Sequence, residues 1–152
     1  MPTIRVQIGD FDLSAESRAL RAANPKIGAI AAFIGLVRDI NDDAGVEVLT
    51  LEHYPGMTEK ALAGIVAQAA TRWDVIDAAV IHRVGTLKPL DQIVLVLVAS
   101  GHRADAFRAC EFIMDYLKTE APFWKKETTA EGVRWVDARA SDEEARERWS
   151  AP

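Results

Sequence analysis

The sequence predicts an α+β domain in which helices pack on a mostly antiparallel sheet, and three observations carry that prediction. Short alternating or unbroken apolar runs recur at 3–8, 27–37, 46–54, 75–84, 92–100, 123–127 and 133–136. Helical spacing of apolar residues separates them at 14–23, 58–73 and 103–118, giving the order β-α-β-β-α-β-β-α-β-β. Turn-forming residues punctuate the order: Asn24-Pro25, Pro55-Gly56, Gly85, Pro89, Pro122 and Glu131-Gly132. There is no internal repeat, low-complexity linker or second hydrophobic unit, so one domain over residues 1–152 is expected.

Each element has its own warrant. TIRVQI at 3–8 alternates like an edge strand, and Ser14 offers an N-cap for a short helix reaching about Ala23. IGAIAAFIGLV at 27–37 is apolar on both faces, as a central strand covered on each side would be. Within it Gly28 and Gly35 mark a bulge or a close backbone approach. Arg38 then opens a polar loop to Gly45 whose Asp39, Asp42 and Asp43 lack the spacing of a calcium loop; a solvated turn is expected. VEVLTLEHY at 46–54 is the next strand. On the following helix Leu62, Ile65, Val66, Ala69 and Trp73 fall on one face, a core stripe. Residues 75–84 and 92–100 are strands joined through GTLKPLD, with His82 expected to be satisfied or exposed. The third helix carries Ala106, Phe107, Ala109, Phe112, Ile113, Met114, Tyr116 and Leu117 at helical spacing, and Pro122 ends it. The tail from Ser141 is a charged amphiphile anchored only by Trp149, either a docked helix or a mobile end.

The totals narrow the function. A net charge of -5 excludes a general nucleic-acid footprint, so an anion site has to be a local pocket. No apolar run reaches a membrane span and no signal-peptide core opens the chain, which makes the cytoplasm the expected location. Cys110 is the only cysteine and falls mid-helix, where a buried structural role is expected. His53, His82 and His102 show no metal-ligand spacing, so no structural or catalytic metal is expected; no other bound cofactor is expected either.

The chemistry concentrates in GHRADAFRACEFIMDYLKTEAPFWKKE at 101–127. It sets His102-Arg103 at a helix start, Lys118 in the last helical turn, and Lys125 and Lys126 beyond the proline. On a regular strand Phe123, Lys125 and Glu127 share one face and Trp124 and Lys126 the other. Lys118 and Lys125 can meet only if the chain reverses through Thr119–Pro122. The bland alternatives are a lysine complementing the helix dipole and a half-buried strand edge.

Six stretches in order decide between these: IGLVRD at 34–39, LEHYPGMTEKAL at 51–62, IHRVGTL at 81–87, GHR at 101–103, FIMDYLKTEAPFWKKE at 112–127 and RWVDAR at 134–139. Over roughly 27–140 the chain resembles the molybdopterin synthase catalytic (large) subunit family. That resemblance implies an alpha/beta-hammerhead fold and a homodimer within a heterotetramer. It also implies a small ubiquitin-like sulfur-carrier partner, whose C-terminal thiocarboxylate converts cyclic pyranopterin monophosphate to the dithiolene of molybdopterin. It makes Lys118 and Lys125 the catalytic lysines, the first orienting the acyl group or moving a proton, the second stabilising negative charge. It places Arg38, His102, Arg103 and Arg139 around the pterin phosphate, with Phe33 and Met114 as apolar walls. A sulfurtransferase whose sulfur arrives on a partner needs no thiol of its own, in keeping with a structural Cys110. The competing reading is a non-catalytic α+β module that binds a phosphorylated ligand through the same cations.

Overall fold

Two four-stranded sheets, joined where their strands share one hydrophobic boundary, form the framework of the computed structural model. It describes residues 2–22, 24–38, 40–41, 44–45, 47–136 and 140–150. The first sheet contains β1 (Thr3–Gln7), β2 (Ala29–Leu36), β6 (Asp77–Arg83) and β8 (Gln92–Ser100), in the order β1-β6-β8-β2. The second contains β5 (Val48–His53), β7 (Gly85–Leu87), β9 (Phe123–Thr129) and β10 (Gly132–Val136), in the order β10-β9-β5-β7. A two-residue pair, β3 (Ile40–Asn41) with β4 (Ala44–Gly45), lies in the stretch expected to be a loop. All pairings are antiparallel except β1 with β6.

Helices cover the first sheet on both faces. Val80 of β6 and Val94, Val96 and Val98 of β8 point to one face. There they pack under α2 (Met57–Arg72), through Leu62, Ile65, Val66 and Ala69, and under α3 (Arg103–Glu120), through Ala106, Ala109, Phe112, Ile113 and Leu117. The alternate residues Ala79, Ile81, Leu95, Leu97 and Ala99 point to the other face, toward Phe11 and Leu20 of α1 (Leu13–Ala22) and the segment before it. This two-sided burial is why β8 reads as an unbroken apolar run.

β2 was expected to be central and is not. It is the edge strand beside β8, and Phe33 and Leu36 are exposed. Its faces are nonetheless partly covered, Ala31 buried under the α2–α3 layer and Ile30 and Ile34 half-buried against the α1 side. Face coverage alone makes a strand apolar on both sides, so the pattern cannot distinguish a doubly covered edge from a centre. Gly28 is a close approach: a Cβ there would stand 2.5 Å from the Gly101 carbonyl oxygen. Gly35 combines crowding, 2.8 Å from Val94 Cγ1, with a register shift at Gly35/Leu36.

Two smaller expectations change. Asp12, not Ser14, caps α1, its carboxylate accepting the Ala15 N–H at 3.0 Å, because the helix begins at Leu13. Phe107 is exposed although it was grouped with the core residues of α3, because its position lies outside the stripe facing the sheet. The tail forms α4 (Ala140–Glu147), followed by a docked Trp149. The Trp149 indole N–H donates to Asp115 at 2.6 Å, and its ring meets Trp73 and Phe112 edge-on at 5.4 and 5.7 Å. Among the described residues, no helix is long and apolar enough to cross a membrane.

Candidate functional site

The reversal that the two lysines require is present. α3 runs to Glu120, Ala121 leaves it in an extended conformation, and β9 begins at Phe123. Pro122 lacks the amide hydrogen that a continued helix would need. Antiparallel pairing with β5 sets Phe123 opposite His53, Lys125 opposite Leu51 and Glu127 opposite Leu49. Paired residues share a face, and Leu49 and Leu51 are buried, so Lys125 points inward. Lys126 points outward, its Nζ 5.7 Å from the centre of the Trp135 ring. The division expected from strand alternation therefore holds.

His82 links the lysines to the first sheet. It is 5% exposed and its ring stacks on Phe123, the centroids 3.8 Å apart and the planes 19° from parallel. Its Nδ1 lies 2.8 Å from the Arg83 carbonyl oxygen. A carbonyl can only accept, so Nδ1 carries the hydrogen and Nε2 is the bare nitrogen of the neutral ring. Burial pushes the imidazole pKa down to about 4; the hydrogen bond to Arg83 opposes this, and the nearby charges of Lys118, Lys125 and His53 reinforce it. Lys118 from α3, exposed, Lys125 from β9 and His53 from β5 are thus near enough for their charges to act on one buried, uncharged imidazole. His82 is satisfied, as expected, but its place near the lysines was not legible, because it depends on how β6 meets β9 across two sheets.

The turn between the lysines is held from a distant part of the chain. Thr58, in the first turn of α2, is fully buried. Its hydroxyl donates to the Pro122 carbonyl at 3.0 Å and accepts the Tyr54 N–H at 3.0 Å. Sequence reading did not single out this residue; a threonine at a helix start reads only as capping.

The other expected site residues lie elsewhere. His102 precedes α3 and Arg103 is its first residue; both are exposed. Arg103 and Lys118 are fifteen positions apart on that helix, about 22 Å at a rise of ~1.5 Å per residue. Because α3 folds back along β8 after the Gly101 turn, Lys118 lies toward the Gln92 end of that strand and His102 at the Ser100 end. Arg38, exposed, is at the lysine end: the Val37 N–H donates to Asp91 and the Val37 carbonyl accepts from Leu90, at 2.9 and 2.8 Å. Phe33 is on the open edge of β2, 41% exposed, and Met114 is buried one turn before Lys118. Arg139, Asp39, Asp42 and Asp43 fall outside the described residues. Cys110 is buried on β8, its thiol against the Val96 carbonyl, and burial raises its pKa to about 11, which suits packing rather than nucleophilic attack. Among the described residues, no three His, Cys, Asp or Glu side chains are grouped to hold a metal ion.

Comparison with known proteins identifies the family. The family model described as MoaE protein matches residues 6–120. The chain is 73% identical over 149 residues to a Ralstonia nicotianae protein named molybdopterin synthase catalytic subunit, covering 98% of this chain and 85% of that one. Its structure is similar to that of the molybdopterin biosynthesis MoaE protein from Burkholderia ambifaria, with a TM-score of 0.86, 62% identity and full coverage of both chains. The fold also matches a chain from a Helicobacter pylori complex of subunits 1 and 2 of molybdopterin-converting factor, with a TM-score of 0.72, 20% identity and coverage of 89% and 90%. The chain therefore belongs to the MoaE family.

Proposed function

We propose that the chain is the catalytic subunit of a molybdopterin synthase, a sulfurtransferase that builds the dithiolene of molybdopterin on cyclic pyranopterin monophosphate. Family membership supports the reaction, and the observation that carries the site is the α3–β9 reversal, which follows Lys118 at once and turns Lys125 to the Leu51 face beside the His82–Phe123 stack. The sulfur arrives as the C-terminal thiocarboxylate of a small ubiquitin-like carrier; a two-subunit partner arrangement is what the Helicobacter pylori complex is named for. Carrier tail and substrate phosphate are both anionic, so the pocket needs cations and directed donors. Lys118 orients the acyl group or moves a proton at its leaving sulfur. Lys125, held inward by β9, stabilises the negative charge that develops as sulfur leaves the acyl carbon. Arg38, His102, Arg103 and Arg139 take the pterin and its phosphate, with Phe33 and Met114 as apolar walls. The chain supplies no cofactor or metal to this chemistry and works in the cytoplasm.

The distance along α3 between Lys118 and the His102-Arg103 pair supports a composite pocket. In a homodimer within a heterotetramer, the basic pair of one copy serves the lysines of its partner. The purified chain, thiocarboxylated carrier and cyclic pyranopterin monophosphate test the reading: dithiolene product forms, requires the carrier, and is lost in Lys118→Ala. Carrier binding without turnover in the parent chain would instead favour a non-catalytic ligand-binding module.

A further inference from the structure

We infer that Thr58 is a positioning residue for the lysine pair, its hydroxyl fixing the α3–β9 reversal that sets Lys125 against Lys118. This rests on the catalytic reading of the two lysines. Thr58 lies 64 positions from Pro122 in the chain, yet one hydroxyl joins them, donating to the Pro122 carbonyl and accepting the Tyr54 N–H. The same oxygen thus ties the β5–α2 turn to the reversal, in a site with no access to water that could replace either bond. The next residue, Phe123, is gripped separately by the His82 ring and by pairing with His53. Two residues further on is Lys125, so the reversal is pinned on both sides of the Pro122–Phe123 bond. Lys118 is four residues before Pro122 and projects from the last turn of α3. Any slack between them changes the separation of the lysines directly, and a misplacement of about 1 Å at reacting groups can cost on the order of 100-fold in rate.

A hydroxyl with this duty has a distinctive substitution pattern. Thr58→Val keeps the shape and loses both hydrogen bonds; Thr58→Ser keeps the hydroxyl and loses only a methyl. Using the full chain with thiocarboxylated carrier, we expect Thr58→Val to lower kcat by roughly 10-fold or more while KM for cyclic pyranopterin monophosphate stays within about threefold. Thr58→Ser should return kcat to within about threefold of the parent. Thr58→Ala carries the same expectation as valine and serves if the valine variant does not fold. Leu20→Ala, on α1 in the separate core beneath the other face of the first sheet, is the stability control; assayed where it remains folded, it should keep kcat. The inference is overturned if valine and alanine variants keep kcat, or if Leu20→Ala loses as much kcat at equal loss of melting temperature. Lys118→Ala, run in parallel, separates the two levels. Its collapse beside an active Thr58→Val rejects only the role of Thr58, whereas an active Lys118→Ala rejects the catalytic reading and this inference with it.

Discussion

The two ends of α3 are built in different ways. At its C-terminal end, the charges of Lys118, Lys125 and His53, from a helix and two strands, act on the buried His82 ring of a third strand, which is stacked and hydrogen-bonded. At its N-terminal end, His102 and Arg103 are exposed on a turn that β2 supports from behind. One end is organised around a buried ring, with Lys125 half-buried and Lys118 exposed beside it; the other carries only exposed cations on a turn. The first suits chemistry, where geometry sets the rate, and the second suits capture of an anion by a surface that is completed elsewhere.

The sharpest way to break this contrast is to remove each end separately. Lys118→Ala and Lys125→Ala should each lower kcat about 100-fold or more, the usual scale for lost acid–base or charge stabilisation. Arg103→Ala should raise KM for the pterin phosphate more than it lowers kcat. Steady-state kinetics on both sets would dissolve the comparison if the two ends gave the same pattern. A second test mixes chains: Lys118→Ala and Arg103→Ala, each impaired alone, should recover part of the activity when co-assembled, because one composite pocket then has all its parts. Failure of the mixture, with dimers verified by mass, would rule out a pocket shared between copies.

Acid titration addresses the end with the buried ring. The folded-state pKa of His82 is about 4 against an ordinary 6.5, so between those values the unfolded chain binds a proton that the folded chain does not. The stability held above pH 6.5 should therefore fall as pH drops toward 4, by up to about 3 kcal/mol from this group. Denaturant unfolding of His82→Gln across that range should show a flatter profile; an unchanged slope would mean that the imidazole titrates normally. The smallest effect expected is at Trp149 of the tail, which packs on Trp73 and Phe112 rather than on the lysines or on His102 and Arg103. Trp149→Ala should cost about 2 kcal/mol by denaturant unfolding, below the range for a fully buried aromatic, because the ring is only partly enclosed. Its kcat should be unchanged.

How far this was readable depended on the range of the interaction. Periodicity located the main elements, with β8 at the expected residues and β9 with the expected faces, because alternation and helical spacing are local. The lysine reversal was legible as well, since Pro122 dictates a stop and strand alternation dictates which lysine turns inward. Strand order was not: the apolar run at β2 reflects covered faces and carries no signal for an open edge. β7 was hidden in a connection of Gly, Thr and Leu too short for any period to show. His82 and Thr58 were missed for a common reason. Each acts across a large gap in the chain, through a ring stack or a hydroxyl bridge that no local spacing records.

The contact between Gly28 and Gly101 leaves room for no side chain at position 28, where even a methyl would collide with a main-chain oxygen rather than a movable group. The start of β2 and the turn bearing His102 and Arg103 must therefore shift together. In a deep mutational scan, position 28 should behave as all-or-none, with alanine no milder than valine, unlike the graded tolerance of neighbouring surface sites.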